Sequence, residues 1–501
     1  MFQGKMCYWK KYKIALISSL VFCFFVTVFF SSCDFNLEEE IDTQDFSVTV
    51  ANKDYDFYIF NIFKNEQEDF ENLLKEYESE TGVKIKSFPC SSSTRDYVNA
   101  LRTQLNSENK PAIFFVRNNF EFLPLQKEDQ LLDFASYDQD SKVIQDFFQK
   151  FENSLKLTND NSANYGIPVG VDFSGYLVNT TVLESLFNGQ NVEDFIDNFK
   201  KSSFEEFENF VINLSSYIKV PENMQVSLNK KTYNLPEKKN GKLSNLIGVF
   251  LLDSQRNDAI DTVASVCYNS PVEVFKSDLK ELKNALISYV KTLSLEIRHA
   301  YAAKQSSSFT DKINRDFILK EFLENKSLFL KGTSEDIKFL KKISEQESKN
   351  IRILPIKAPI AVDDIKISEF TPAKFNSNLK AYVSFYYCVN SKVSKKEQKL
   401  AVEFLHWLCV SDIGKKFTVK KLGKSYFEPN GVLKLEDFPL LKSYKSPENV
   451  LYTTNLESSE VFVDNVRTSE INTYLKKENL TKEDFEQISN IWINCFKNSK
   501  K

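Results

Sequence analysis

The chain has 501 residues, 42% of them hydrophobic, and a formal net charge of −4. That length exceeds what one hydrophobic core usually serves, so two domains or more are expected. The mild acidity excludes the basic face of a nucleic-acid binder, and 45 Phe against 12 Gly favours helices over glycine-built loops.

Residues 1–32 carry Lys5, Lys10, Lys11 and Lys13 and no acid, so their removal takes the net charge from −4 to −8. A basic start, the apolar run IALISSLVFCFFVTVFF at 14–30 and small residues before Cys33 have the form of an export signal. As a helix the run is about 26 Å long, the short limit for a membrane span, so an uncleaved anchor helix is the other reading. The stretch 33–54 is acidic and aperiodic and reads as a solvated tether. Beyond Cys33 stand Cys90, Cys267, Cys388, Cys409 and Cys495. They are scattered and odd in number, which points to buried thiols rather than a disulfide framework and leaves one disulfide open. No Cys/His metal spacing exists, so neither zinc nor another cofactor is expected.

From residue 56 strand and helix patterns alternate. DFYIF (56–60), VKIKSF (83–88) and AIFFV (112–116) read as strands, separated by an amphipathic helix at 66–82 and a second helix at 94–105. This order predicts an α/β fold with a mostly parallel sheet, whose ligands bind beyond the carboxyl ends of the strands. Those ends lead into Asn61 and Phe63 in one loop and Arg117 and Asn118 in another.

NYGIPVGVDFSGYLVNTTVLE (164–184) then reads as one long buried strand interrupted by a carboxylate, Asp172. Either Asp172 meets solvent at a strand edge, or the chain crosses between two domains there and Asp172 faces the gap. Helices follow: 203–218 with a capping box from Ser203 to Glu206, long helices over 275–324, and 394–417 with a second box from Ser394 to Glu397. Residues 219–245 are polar with two prolines and read as a loop or hairpin insertion. Strands are expected at the start of 327–343, at 351–356 and along 381–390, and a closing helix at 481–496. Trp407 and Trp492 fall in amphipathic helices and read as core.

The segments NYGIPVGVDFSGYLVNTTVLE, SLFLKGTSEDI, YYCVNSKVSKKEQKLAVEFLHWL and SDIGKKF, with the opening IFNIFKNEQEDFENLLKEYESETGVKIK, resemble bacterial extracellular solute-binding proteins, the sugar-type receptors of ABC importers. The likeness runs in order from about 55 to 425, and SSC at 31–33 resembles a lipoprotein signal in which Cys33 is lipidated. Phe30 departs from the Leu preferred there.

The resemblance implies a two-lobed periplasmic-binding-protein-like fold of type II, each lobe a mostly parallel sheet flanked by helices. It implies a first lobe at 55–170 and 385–430, a second at 175–380 and 431–501, and hinge strands near 168–175 and 381–386. It implies a monomer, anchored by lipid outside the cytoplasm, that hands a sugar to a membrane permease. Asp172 would accept hydrogen bonds from ligand hydroxyls, and Arg117 would donate a fork. Tyr176 would stack or donate, a packed core tyrosine being equally open, and Asn118, Asn61 and Phe63 would add contacts. Gly332 and Thr333 match a turn where relatives often carry an aromatic, and no aromatic stands at 333–336.

Two other functions stay open. One is a carboxylate-pair glycosidase, although the chain has only His299 and His406 and lacks H-E-x-x-H, G-x-S-x-G and phosphate-loop motifs. The other is a surface lipoprotein that binds a non-sugar ligand or a partner protein.

Overall fold

In the computed structural model the apolar runs of the first segment become β1 (Phe57–Asn61), β2 (Ile85–Pro89) and β3 (Ile113–Val116), with helices Gln67–Thr81 and Thr94–Asn106 between them. Phe70, Leu73, Leu74 and Tyr77 form the buried stripe of the first helix, and Gly82 stops it in the left-handed conformation at φ 75°. β1 pairs in parallel with both β2 and β3, as connection through helices requires. The structure describes residues 54–426, apart from short stretches of which 252–258 and 302–314 are the longest, together with 450–452 and most of 470–499. The export signal, Cys33 and nearly all of the acidic tether lie outside the described residues, as does Asn118.

The stretch at 164–184 is not one strand. It forms β4 (Ile167–Pro168) and β5 (Val171–Asn179), which belong to different sheets. They part at Gly170, where a Cβ would come within 2.7 Å of Ser425 O and of Lys424 Cβ. The polar insertion is a hairpin, β6 (Gln225–Leu228) and β7 (Lys231–Asn234). β8 (Gly248–Leu251), β9 (Ser327–Thr333) and β10 (Ile351–Leu354) follow. The run at 381–390 also divides, into β11 (Leu379–Val383) and β12 (Tyr386–Val389), and β13 (Val450–Tyr452) comes last.

Two sheets result. The first has the order β2-β1-β3-β12-β4; the second has the order β13-β11-β5-β9-β8, with β10 also against β5. The chain therefore crosses from one sheet to the other at β4–β5 and returns at β11–β12. Neither sheet is mostly parallel: β12 runs antiparallel to β3 and β4 in the first, and β5 runs antiparallel to β9, β10 and β11 in the second. The β5–β11 direction is topological, because outgoing β5 and returning β11 must point in opposite directions.

Within the stretch 275–324 the described residues form the end of helix Pro271–Lys276 and the helices Lys280–Arg298 and Arg315–Leu323, and Ala300 makes an isolated bridge to Phe250. The helix predicted at 394–417 ends at Val410, and a short helix Asp412–Lys416 and a π turn Phe417–Leu422 complete it. Both capping boxes form as the sequence implies.

Residues Asn52–Lys501 make one compact unit, and both apolar clusters lie within it. One cluster fills the first lobe and continues over the face of the second sheet that carries Phe173, Leu177 and Leu330. The other covers the opposite face, where the Tyr176, Phe250 and Phe329 rings sit 5.6–5.7 Å apart. Trp492 is fully buried there, and Trp407 packs at the edge of the first cluster beside Tyr77. Cys267, Cys388 and Cys409 stand as thiols. Burial pushes Cys267 and Cys409 up to about 12 and Cys388 well above the ordinary thiol range. Among the described residues no helix is long and apolar enough to cross a membrane.

Candidate functional site

The crossing of the two strands creates the site. Asp172, the second residue of β5, is fully buried. Its carboxylate accepts a 3.0 Å hydrogen bond from Ser334 Oγ after β9, another from Ser384 Oγ between β11 and β12, and an ion pair from Lys424. Lys424 Nζ is also 3.2 Å from Glu335 Oε1 and lies 5.6 Å from the Phe385 ring centroid. Burial alone would lower the Lys424 ammonium, but the charges of Asp172 and Glu335 outweigh it and hold the pKa above its ordinary value. One charged cluster thus ties both crossings to the wall of the second lobe.

Beside this cluster a cleft of about 330 Å³ opens between the lobes. The first lobe contributes Phe63, Glu66, Tyr97 and Arg117, the second Glu335, Lys338 and Phe339, and the crossing Phe385 and Lys424. Arg117 follows β3, and its guanidinium is gripped by Glu121, with Nε and Nη2 each 2.7 Å from Oε1. It lies 5.2 Å from the Tyr97 ring centroid. Tyr97 itself is fixed by a 2.9 Å bond from its hydroxyl to Phe115 O, and burial holds that hydroxyl well above its ordinary pKa. Lys338 reaches Glu66 at 3.1 Å. The charged groups on the lining are thus already paired, which fixes their orientation toward a polar solute.

The sequence candidates divide between lining and support. Phe63 and Arg117 line the cleft. Asn61 is buried behind it: its Oδ1 accepts from the Phe63 N–H at 2.7 Å and its Nδ2 donates to Gln67 Oε1 at 3.1 Å, so it shapes the loop. Asp172 does not stand open to the gap; Lys424 and two serines occupy its carboxylate. Tyr176 lies in the second core, its hydroxyl 2.5 Å from Glu296 Oε1. Thr333 is buried, and its N–H donates to Asp336 Oδ2 at 2.8 Å, the same carboxylate that holds Arg315 at 2.6 Å.

Sequence reasoning missed Glu66, Tyr97, Glu335, Lys338, Phe339, Phe385 and Lys424. Position after a strand marked the loops of Glu66 and Glu335 in principle, whereas nothing local marked Lys424. The turn after β9 has no aromatic at 333–336, yet Phe339, one helical turn later and 46% exposed, brings one to the lining.

A two-sheet α/β chain that crosses twice between lobes and holds a solute-sized cleft at the crossing has the architecture of a solute receptor. The family model of bacterial extracellular solute-binding proteins matches residues 72–419, and the chain belongs to that family. Members of the family are binding proteins that work outside the cytoplasm. No curated protein matches the sequence.

Solved structures show the same fold at low identity. A family 1 extracellular solute-binding protein from Bifidobacterium longum subsp. infantis shares 14% identity over 87% of this chain and 98% of its own, with a TM-score of 0.57. RafE in complex with raffinose shares 12% over 89% and 99%, with a TM-score of 0.54. A probable secreted solute-binding lipoprotein from Streptomyces coelicolor shares 10% over 88% and 100%, with a TM-score of 0.55.

Proposed function

We propose that this protein captures a small sugar in the cleft between its lobes and delivers it to the membrane permease of an ABC importer, tethered by a lipid on Cys33. The observation that carries this reading is the cleft itself, lined from both lobes by aromatic rings and by charges already paired within the protein. A neutral polyol needs ring faces to stack on and oriented charge-assisted hydrogen bonds. Bonds to charged groups contribute about 1.5–3 kcal/mol each, so three or four supply the roughly 8 kcal/mol of a micromolar complex. Arg117 and Glu335 are the groups placed to make them, with Phe63, Phe339 and Phe385 as apolar walls. Asp172 acts from behind, by holding Lys424 in place. Raffinose in RafE, a protein of the same fold, supports a sugar as the solute class.

Closure around the solute supplies the signal. Only the closed form contacts the solute from both walls, so binding shifts the population toward closure. A thermal-shift screen of Asn52–Lys501 against sugars, polyamines and peptides tests the reading. A ligand that binds only the folded state raises the melting temperature by mass action. A shift with one sugar, returned unchanged after incubation, is the expected result. A shift only with polyamines or peptides overturns the sugar assignment, and a cleaved sugar would indicate a glycosidase.

A further inference from the structure

An ion pair joins the two walls of the cleft. Lys338, on the helix Asp336–Ile343 that follows β9, places Nζ 3.1 Å from Oε1 of Glu66, in the loop that follows β1. One residue therefore belongs to each lobe, and both line the cavity. Their side chains are 39% and 24% exposed, so the pair sits at the mouth rather than in the core. The stem of Lys338 passes over Gly423, whose φ of 68° favours glycine and where a Cβ would lie 2.9 Å from Lys338 Cε. The absence of a side chain there leaves room for the lysine to extend across the gap. Deeper in, Lys424 and Glu335 repeat the arrangement at the crossing.

We propose that Glu66 and Lys338 form a clasp that biases the empty receptor toward the closed form and so sets how much of the solute's binding energy is spent on closure. The inference rests on the reading that the lobes close over a solute. An ion pair of this exposure shifts a two-state equilibrium by about 1.5- to 5-fold, and salt screens it. That is enough to tune closure and too little to lock it. Because apparent affinity scales with the fraction of competent receptor, losing the clasp weakens solute binding by no more than the same factor. Direct loss of a charged hydrogen bond to the solute would cost more.

Small-angle scattering of solute-free Asn52–Lys501 reads the clasp without knowledge of the solute. The wild type at low salt is expected to have a smaller radius of gyration than Glu66→Gln and Lys338→Gln. Raising salt to about 1 M, where the Debye length falls to roughly 3 Å, brings the wild type to the size of the variants. The exchanged double variant Glu66→Lys with Lys338→Glu restores the low-salt compaction. Circular dichroism checks that all variants are folded, as expected for partly exposed positions. Equal radii for wild type and both single variants at low salt would overturn the clasp. Failure of the receptor reading looks different: no solute shifts the wild-type melting temperature, whatever the scattering series shows.

Discussion

Lys424 pairs with Asp172 inside the crossing between the lobes, with the lysine side chain 7% exposed and the aspartate 0%. A buried pair is not by that fact stabilising, because desolvating two charges offsets their attraction, but removing one partner strands the other. Lys424→Met should therefore destabilise the protein by about 3–5 kcal/mol. The double variant Lys424→Met with Asp172→Asn should recover a good part of that loss. Urea denaturation of the four proteins measures the coupling, and simple additivity would show that the pair does not act as a unit.

Arg117 should matter to binding as well as to folding. Its guanidinium already has Glu121 and the Tyr97 face, and it borders the cleft. Arg117→Met should weaken the solute found by thermal shift by about 10- to 100-fold, the range of one charge-assisted hydrogen bond. Calorimetric titration checks this. Unchanged affinity would remove Arg117 from the site.

Tyr176 should behave in the opposite way. Its ring lies in the second core and its hydroxyl meets the buried Glu296 carboxylate. Tyr176→Phe should cost about 1–3 kcal/mol of stability, the loss of a hydrogen bond to a buried charged group, and leave solute affinity unchanged. A large loss of affinity with normal stability would return Tyr176 to the cleft.

Lys357 should give the protein a pH-dependent stability. Its Nζ is buried and donates to the carbonyls of Ser202 at 2.9 Å and Asn376 at 2.8 Å. Burial brings its pKa down from 10.5 to about 7, with Glu206 opposing the shift. Between those two values the unfolded chain binds more protons than the folded one, so stability rises with pH across that window. The cost is fully present below about pH 7. Lys357→Met should flatten the rise in urea midpoint between pH 7 and 9. A parallel rise in the variant would place the effect elsewhere.

Gly175 should tolerate no side chain. A Cβ there would stand 2.2 Å from Leu354 O, across the β5–β10 pairing. Gly175→Ala should force β10 away at about 1–3 kcal/mol, the usual cost of overpacking. A melting temperature equal to the wild type would show that the strands can part without loss.

Many of the helices were legible in the sequence because their patterns are defined locally. The stripe Phe70, Leu73, Leu74 and Tyr77, the stop at Gly82 and the boxes at Ser203 and Ser394 are short-range patterns, and each formed as read. The crossings were visible as long apolar runs with a carboxylate inside one of them. Their division at Gly170 and at Ser384 was not visible, because each half is a strand by itself and only its neighbours assign it to a sheet. The mixed direction of both sheets escaped for the same reason.

The site shows where local pattern stops. The sequence by itself determined that loops follow β1, β3 and β9, that Arg117 and Phe63 stand in two of them, and that Asp172 is an acid within an apolar crossing. Only the tertiary structure decided what that acid does. Lys424 is 252 residues away along the chain, and Ser384 is 212. Coulomb attraction and hydrogen bonding act over a few ångströms whatever the separation in sequence. Folding brought these partners to Asp172, and with them turned a carboxylate that reads as an open acceptor into the buried centre of the crossing.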